Sequence, residues 1–213
     1  MDSLQKESFM TLQLEEVTLQ ANLSIPENSL GLVIFSHGSG SSRLSKRNLY
    51  VASVLQKKGM ATLLFDLLTE EEDMDYSNRF NIELLTRRLV AVTRKLHKEP
   101  LTAHLNKGFF GASTGAASAL MAAAELGGEI KAIVSRGGRV DMAGEKLGEI
   151  SAPTLFIVGG DDEVVLQLNE QAFTRLKCEK QLEIIPGASH LYEEPGTLEE
   201  VARLSAEWFN EHL

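Results

Sequence analysis

The chain has 213 residues, 43% of them hydrophobic, with a formal net charge of -9 and a single cysteine, Cys178. That length suits one domain with a sizeable core, residues 1–213, and no low-complexity linker or internal repeat divides it. The negative charge argues against nucleic acid or an anionic membrane surface as the main partner, one cysteine excludes an internal disulfide framework, and the opening M-D-S-L-Q-K-E-S lacks an apolar signal core.

From Phe9 to Ile25 apolar residues alternate loosely, which predicts an antiparallel strand pair with one wet face. Pro26-Glu27-Asn28 reads as a turn. Leu30 to Phe35 is apolar throughout, as a buried central strand is, and it runs into H-G-S-G-S-S and a helix from Leu44 to Gln56. Ala61 to Phe65 predicts another buried strand with Asp66 at its carboxyl end. The acidic stretch Glu70 to Asp75 reads as a loop, followed by an N-cap near Ser77 or Asn78 and a long helix to about Lys98. An apolar run ending near Gly111 predicts a strand, and an alanine-rich helix follows from Thr114 to the Gly127-Gly128 pair. Beyond it come a strand (Ile130 to Ser135), a short helix (Ala143 to Ile150) and a strand (Thr154 to Val158). The chain closes with a helix (Leu166 to Leu176), a strand (Gln181 to Ile185) and an amphipathic helix (Leu198 to His212).

Apolar strands alternating with helices imply βαβ units and a mostly parallel sheet covered on both faces. Ligands on such sheets sit at the carboxyl ends of the strands. His37, Asp66, Ser113, Arg136, Asp162 and His190 are all predicted at that one rim.

G-A-S-T-G lies between the strand ending near Gly111 and the helix starting near Thr114, the context of a G-x-S-x-G nucleophile elbow. The sharp turn strains the backbone at Ser113 and pushes its hydroxyl outward, while Gly111 and Gly115 keep side chains out of the strand–helix contact. The helix start favours negative charge beside Ser113. A serine hydroxyl needs a base, and the base needs an orienting acid. Of the five histidines, His97 and His212 read as surface residues, and His104 lies in a loop. His37 reads as shaping the loop after its strand. His190, in the small-residue loop P-G-A-S-H-L, is placed to swing over the rim and is the favoured base. The acid stays open at this level among Asp161, Asp162, Asp141 and Asp66, since Asp at such places also caps helices and turns.

Together G-A-S-T-G, H-G-S-G, V-G-G-D-D-E-V-V and P-G-A-S-H resemble the α/β-hydrolase superfamily, closest to its small lid-less dienelactone hydrolase-like members. The resemblance covers the chain from about Leu30 to the end. It implies an α/β-hydrolase fold with an antiparallel N-terminal strand pair and no lid domain. It also implies Asp162 as the acid, at the fourth position of G-x-x-D, and an oxyanion hole from the backbone N–H groups of Ser39 and Thr114. Dienelactone hydrolases use a cysteine nucleophile where this chain has Ser113. The implied reaction is hydrolysis of a small carboxylic ester or lactone through an acyl-enzyme on Ser113, with Asp162 and His190 completing the triad.

No metal-spaced cluster of ligands is visible, and the mechanism calls for no cofactor. Arg43, Arg136 and Arg139 fall in rim-side loops and, with His37, are candidates for contacting substrate, the arginines for an anionic group. An acyltransferase or thioesterase with the same triad is an alternative reading. A non-catalytic phosphate-binding domain is another, although H-G-S-G-S-S lacks the P-loop Lys-Ser/Thr ending and Leu44 breaks a G-x-G-x-x-G pattern. The expectation is a cytoplasmic protein acting on a small-molecule ester, as a monomer or a homodimer.

Overall fold

The computed structural model describes residues 6–213; Met1–Gln5, including most of the stretch read for a signal core, lie outside it. Lys6–Gln13 (β1) and Thr18–Ile25 (β2) pair antiparallel, and alternate residues of β2 are buried. Gly31–Ser36 (β3) is buried at every position, as a strand covered on both faces requires. Lys46–Lys57 (α1) follows, with Ser45 Oγ accepting from the Asn48 amide at its start. Ala61–Phe65 (β4) leads into Glu70–Met74 (α2) and a 3₁₀ segment, Tyr76–Phe80. Then come Ile82–Leu96 (α3), Asn106–Ala112 (β5), Thr114–Leu126 (α4) and Ile130–Arg136 (β6). Thr154–Gly159 (β7), Glu163–Arg175 (α5), Lys180–Ile185 (β8) and Thr197–His212 (α6) complete the chain.

The strands form one eight-stranded sheet in the order β1-β2-β4-β3-β5-β6-β7-β8. From β4 to β8 every pairing is parallel. This is the α/β-hydrolase architecture, with helices on both faces. Successive side chains of a strand point to opposite faces, so each central strand feeds two cores. Ile34, Phe109, Ile133 and Phe156 pack with residues of α3 and α4 on one side. Val33, Phe35, Phe110, Val134 and Ile157 pack on the other with Val51 and Leu55 of α1 and Trp208 and Phe209 of α6.

Three local readings change. The acidic stretch from Glu70 is a helical turn, because Thr69 and Glu72 form a reciprocal capping box (Glu72 N to Thr69 Oγ1 3.1 Å, Thr69 N to Glu72 Oε2 2.9 Å). The long helix begins later than expected, at Ile82, since Asn81 rather than Ser77 or Asn78 accepts from its first-turn amide. Residues expected as a helix from Ala143 are 3₁₀ turns, Val140–Glu149, broken at Gly144 with φ 55°. These turns fill the β6–β7 connection, where a lid would be inserted.

Candidate active site

Register puts Ser36, Gly111 and Ser135 side by side across β3, β5 and β6. The chain leaves β5 one residue later and must turn at once into α4. Ser113 carries that turn with φ 52° and ψ -123°, a conformation that costs a non-glycine residue about 1–3 kcal/mol and needs surrounding support. Its N–H donates to Arg136 O (3.2 Å), and its carbonyl accepts from Ala116 N and Arg139 N (3.0 Å each). A Cβ on Gly115 would lie 2.2 Å from Ser36 O, and one on Gly111 2.5 Å from Ala116 Cα. The glycines therefore set how closely strand and helix meet. Below them Ser118 Oγ donates to Gly115 O (3.0 Å), so Ser36 gives its own proton to Ser118 Oγ (2.8 Å).

Asp162 stands at the start of α5, yet its side chain makes no capping bond. Its Oδ2 lies 2.6 Å from His190 Nδ1. A carboxylate accepts, so Nδ1 carries the proton and Nε2 keeps a free lone pair. The His190 side chain is 38% exposed and that of Asp162 13%, which leaves the base reachable and the acid covered. The two turns are locked together: Asp161 N donates to Ala188 O (3.0 Å), and a Cβ on Gly159 would sit 2.2 Å from that same oxygen. Asp161 itself points to solvent. Asp141 is bound by Arg139, and Asp66 by Arg43.

The His190 ring rests against Gly137, whose added Cβ would be 3.4 Å from Nδ1. Gly137 directly follows Arg136, whose carbonyl holds the Ser113 amide. Ser113 and His190 thus share the end of β6, although no hydrogen bond joins Ser113 Oγ to the ring. On the other side of Ser113, a Cβ on Gly38 would touch Ser113 Cβ at 3.0 Å. Ser39 N, expected to face an oxyanion, donates instead to Thr114 Oγ1 at 2.9 Å.

Residues 19–211 match the Dienelactone hydrolase family. The chain belongs to that family. It superimposes on the crystal structure of dienelactone hydrolase from Anabaena variabilis with a TM-score of 0.96 at 52% identity, covering 98% of this chain and 99% of that one. Est1E from Butyrivibrio proteoclasticus shares the fold, with a TM-score of 0.81 at 20% identity over 95% and 98% of the two chains. Two Mycobacterium tuberculosis proteins, from strains CDC 1551 and H37Rv, are provisionally named phosphoribosyl transferases and are 56% identical over 197 residues. That match takes in 92% of this chain but 44% of theirs, so the chain spans less than half the length of these curated relatives. Family and fold support a hydrolase.

Within this family member, the other rim residues expected to contact substrate have different partners. Arg43 donates to Asp66 Oδ2 (2.6 Å) and Asn22 Oδ1 (3.2 Å). Arg139 forks onto Asp141 with two bonds of 2.9 Å, which push its pKa up. Both charges are already met by carboxylates. Arg136 is buried, lies 5.6 Å over the Tyr192 ring and donates to Asn48 Oδ1 (3.3 Å). Burial pulls its pKa down to about 10. It supports the histidine loop from beneath rather than facing the rim. His37 spends both ring nitrogens on backbone: Nε2 accepts from Leu67 N (3.1 Å), so Nδ1 donates to Gly38 O (3.1 Å). Burial lowers its pKa. A neutral His37 pins the Gly38–Ser39 turn to the end of β4.

Sequence reasoning passed over Tyr192 and Glu194. Tyr192 has φ 54° and donates from its hydroxyl to Ile157 O (3.0 Å). Glu194 Oε2 accepts from Ser189 N (3.0 Å), and its hydrogen bonds with Ser189 lower its pKa. Together they fold the loop that carries His190. Arg79 was missed as well. It is held by Asp73 and approaches the backbone of Gly40, with Nη1 3.7 Å from an added Cβ. A cavity of about 650 Å³ lies beside this turn, lined by Ser41, Ser42, Arg43, Asp66 and Asp73 among others. Among the described residues no three His, Cys, Asp or Glu side chains gather as metal ligands, and no helix is long and apolar enough to cross a membrane.

Proposed function

We propose that the chain is a serine esterase that cleaves a small carboxylic ester or lactone through an acyl-enzyme on Ser113. The observation that carries this reading is the 2.6 Å bond between His190 Nδ1 and Asp162 Oδ2, beside a serine held at φ 52°. Ser113 Oγ attacks the carbonyl while His190 Nε2 takes its proton. Asp162 keeps the ring in the tautomer that can accept and stabilises the imidazolium that forms. His190 then returns the proton to the leaving alcohol, and water repeats the cycle on the acyl group. The Thr114 N–H, free at the start of α4, faces the charge developing on the carbonyl oxygen; one such donor is worth about 3 kcal/mol in the transition state. The gap between Ser113 and His190 suits an enzyme without substrate, where such bonds are commonly long and tighten on binding. The phosphoribosyl transferase name belongs to proteins of which this chain matches less than half, so it supplies no substrate here.

A fluorophosphonate probe tests the reading. Stoichiometric labelling at Ser113, absent in Ser113→Ala and in unfolded protein, supports it; no labelling of the folded protein refutes it. Rates on short esters, lactones and thioesters then separate esterase from thioesterase.

A further inference from the structure

Thr114 opens α4 immediately after Ser113 and is 2% exposed. Its hydroxyl accepts the Ser39 N–H at 2.9 Å. A hydroxyl has one proton and two lone pairs, so this bond uses a lone pair and leaves the proton to be placed. Thr86, Thr93, Thr102 and Thr154, also buried, each give that proton to a backbone carbonyl at 2.7–2.9 Å. Thr86 and Thr93 do so within a helix, to the carbonyl one turn back. Thr114 has no such turn behind it, since the chain before Ser113 is strand β5. Among the described residues no acceptor takes its proton.

The position of this hydroxyl is fixed from two sides. Its backbone follows the strained serine, and its oxygen bridges to the His37–Ser39 turn, which itself presses Gly38 against Ser113. It therefore stands in the wall between the two loops that flank the attacking oxygen. We propose that Thr114 Oγ–H is a donor to the oxyanion. It acts beside the Thr114 N–H, with the Ser39 N–H behind it as a positioning group rather than a direct donor. The inference rests on Ser113 being the nucleophile. The proton is shared in a hydrogen bond and not transferred. A donor that is itself accepting a hydrogen bond is polarised toward stronger donation, and one held in place before reaction spends nothing on reorganisation.

The test compares wild type, Thr114→Val and Thr114→Ser on p-nitrophenyl acetate, with the urea midpoint of each. Thr114→Val keeps the shape and loses the hydroxyl; it lowers kcat about 10²-fold or more with little change in KM. Thr114→Ser, which keeps the hydroxyl, recovers most of that loss. Should valine not fit, Thr114→Ala gives the same fall in kcat. Unchanged or raised kcat in Thr114→Val or Thr114→Ala, the latter meaning that the hydroxyl merely blocked the Ser39 amide, overturns the proposal. So does an equal loss in Thr114→Ser. Wild type that neither turns over the ester nor labels at Ser113 overturns the nucleophile reading along with it; wild-type activity indifferent to Thr114 overturns this inference alone.

Discussion

Gly115→Ala tests whether the close approach of α4 to the sheet creates the elbow. The added methyl would sit 2.2 Å from Ser36 O and 2.5 Å from His37 O, more than 0.9 Å inside ordinary contact of 3.4 Å. Both obstacles are backbone, and Ser36 is held in β3 by pairing to β4 and β5 on either side, so no rotamer change relieves the clash. Helix and strand must part by about 1 Å. That movement stretches the Ser36–Ser118 hydroxyl bond (2.8 Å) and the Ser39–Thr114 bond (2.9 Å). Overpacking costs about 1–3 kcal/mol and each weakened bond about 1 kcal/mol, so the expected destabilisation is about 3 kcal/mol. A 1 Å misplacement of reacting groups lowers kcat about 10²-fold. Urea unfolding and ester turnover read the two effects, with Gly128→Ala as control because nothing lies within 4 Å of its added Cβ. Should Gly115→Ala match the control in stability within about 0.5 kcal/mol, the steric account of the elbow is wrong.

Asp162→Asn leaves the shape of the site but presents an amide to His190 Nδ1. The wrong tautomer then prevails, and kcat falls about 10⁴-fold, whereas Asp161→Asn at the solvent-facing neighbour changes it less than about twofold; steady-state rates on p-nitrophenyl acetate decide. His37 gives a pH signature, because its folded pKa lies below the ordinary 6.5 through burial. Between those two values the unfolded chain binds the proton and the folded one does not, so stability is greatest above pH 6.5 and declines as pH falls through that window. Urea midpoints measured from pH 7.5 to pH 5 will fall more steeply for wild type than for His37→Gln, and equal slopes would exclude this source.

The sheet was legible because its central strands are apolar runs and each is followed by a helical pattern ended by glycine or by a short loop. Order along the chain then put Ser113, Asp162 and His190 at one rim, since parallel strands end together. Side-chain partners were not legible. Arg43 finds Asp66 across 23 positions and Arg88 finds Glu72 across 16, and nothing in either segment names the other. Lys107, inside an apolar strand, is buried with its ammonium on the carbonyls of Thr102, Ala103 and Leu105, a pattern set by the preceding loop. The two neighbouring aspartates show what decides such cases. Nothing in the residue types separates Asp161 from Asp162; the turn does, by spending the Asp161 amide on Ala188 O and aiming the next side chain inward. That turn fits only because Gly159 has no Cβ to meet the same carbonyl. Gly38 beside Ser113 and Gly137 beside His190 are equivalent places, where a loop passes within contact of a reacting side chain. The glycines therefore mark where segments distant in sequence must touch, and the acid and base can be read from sequence only to the extent that these contacts can.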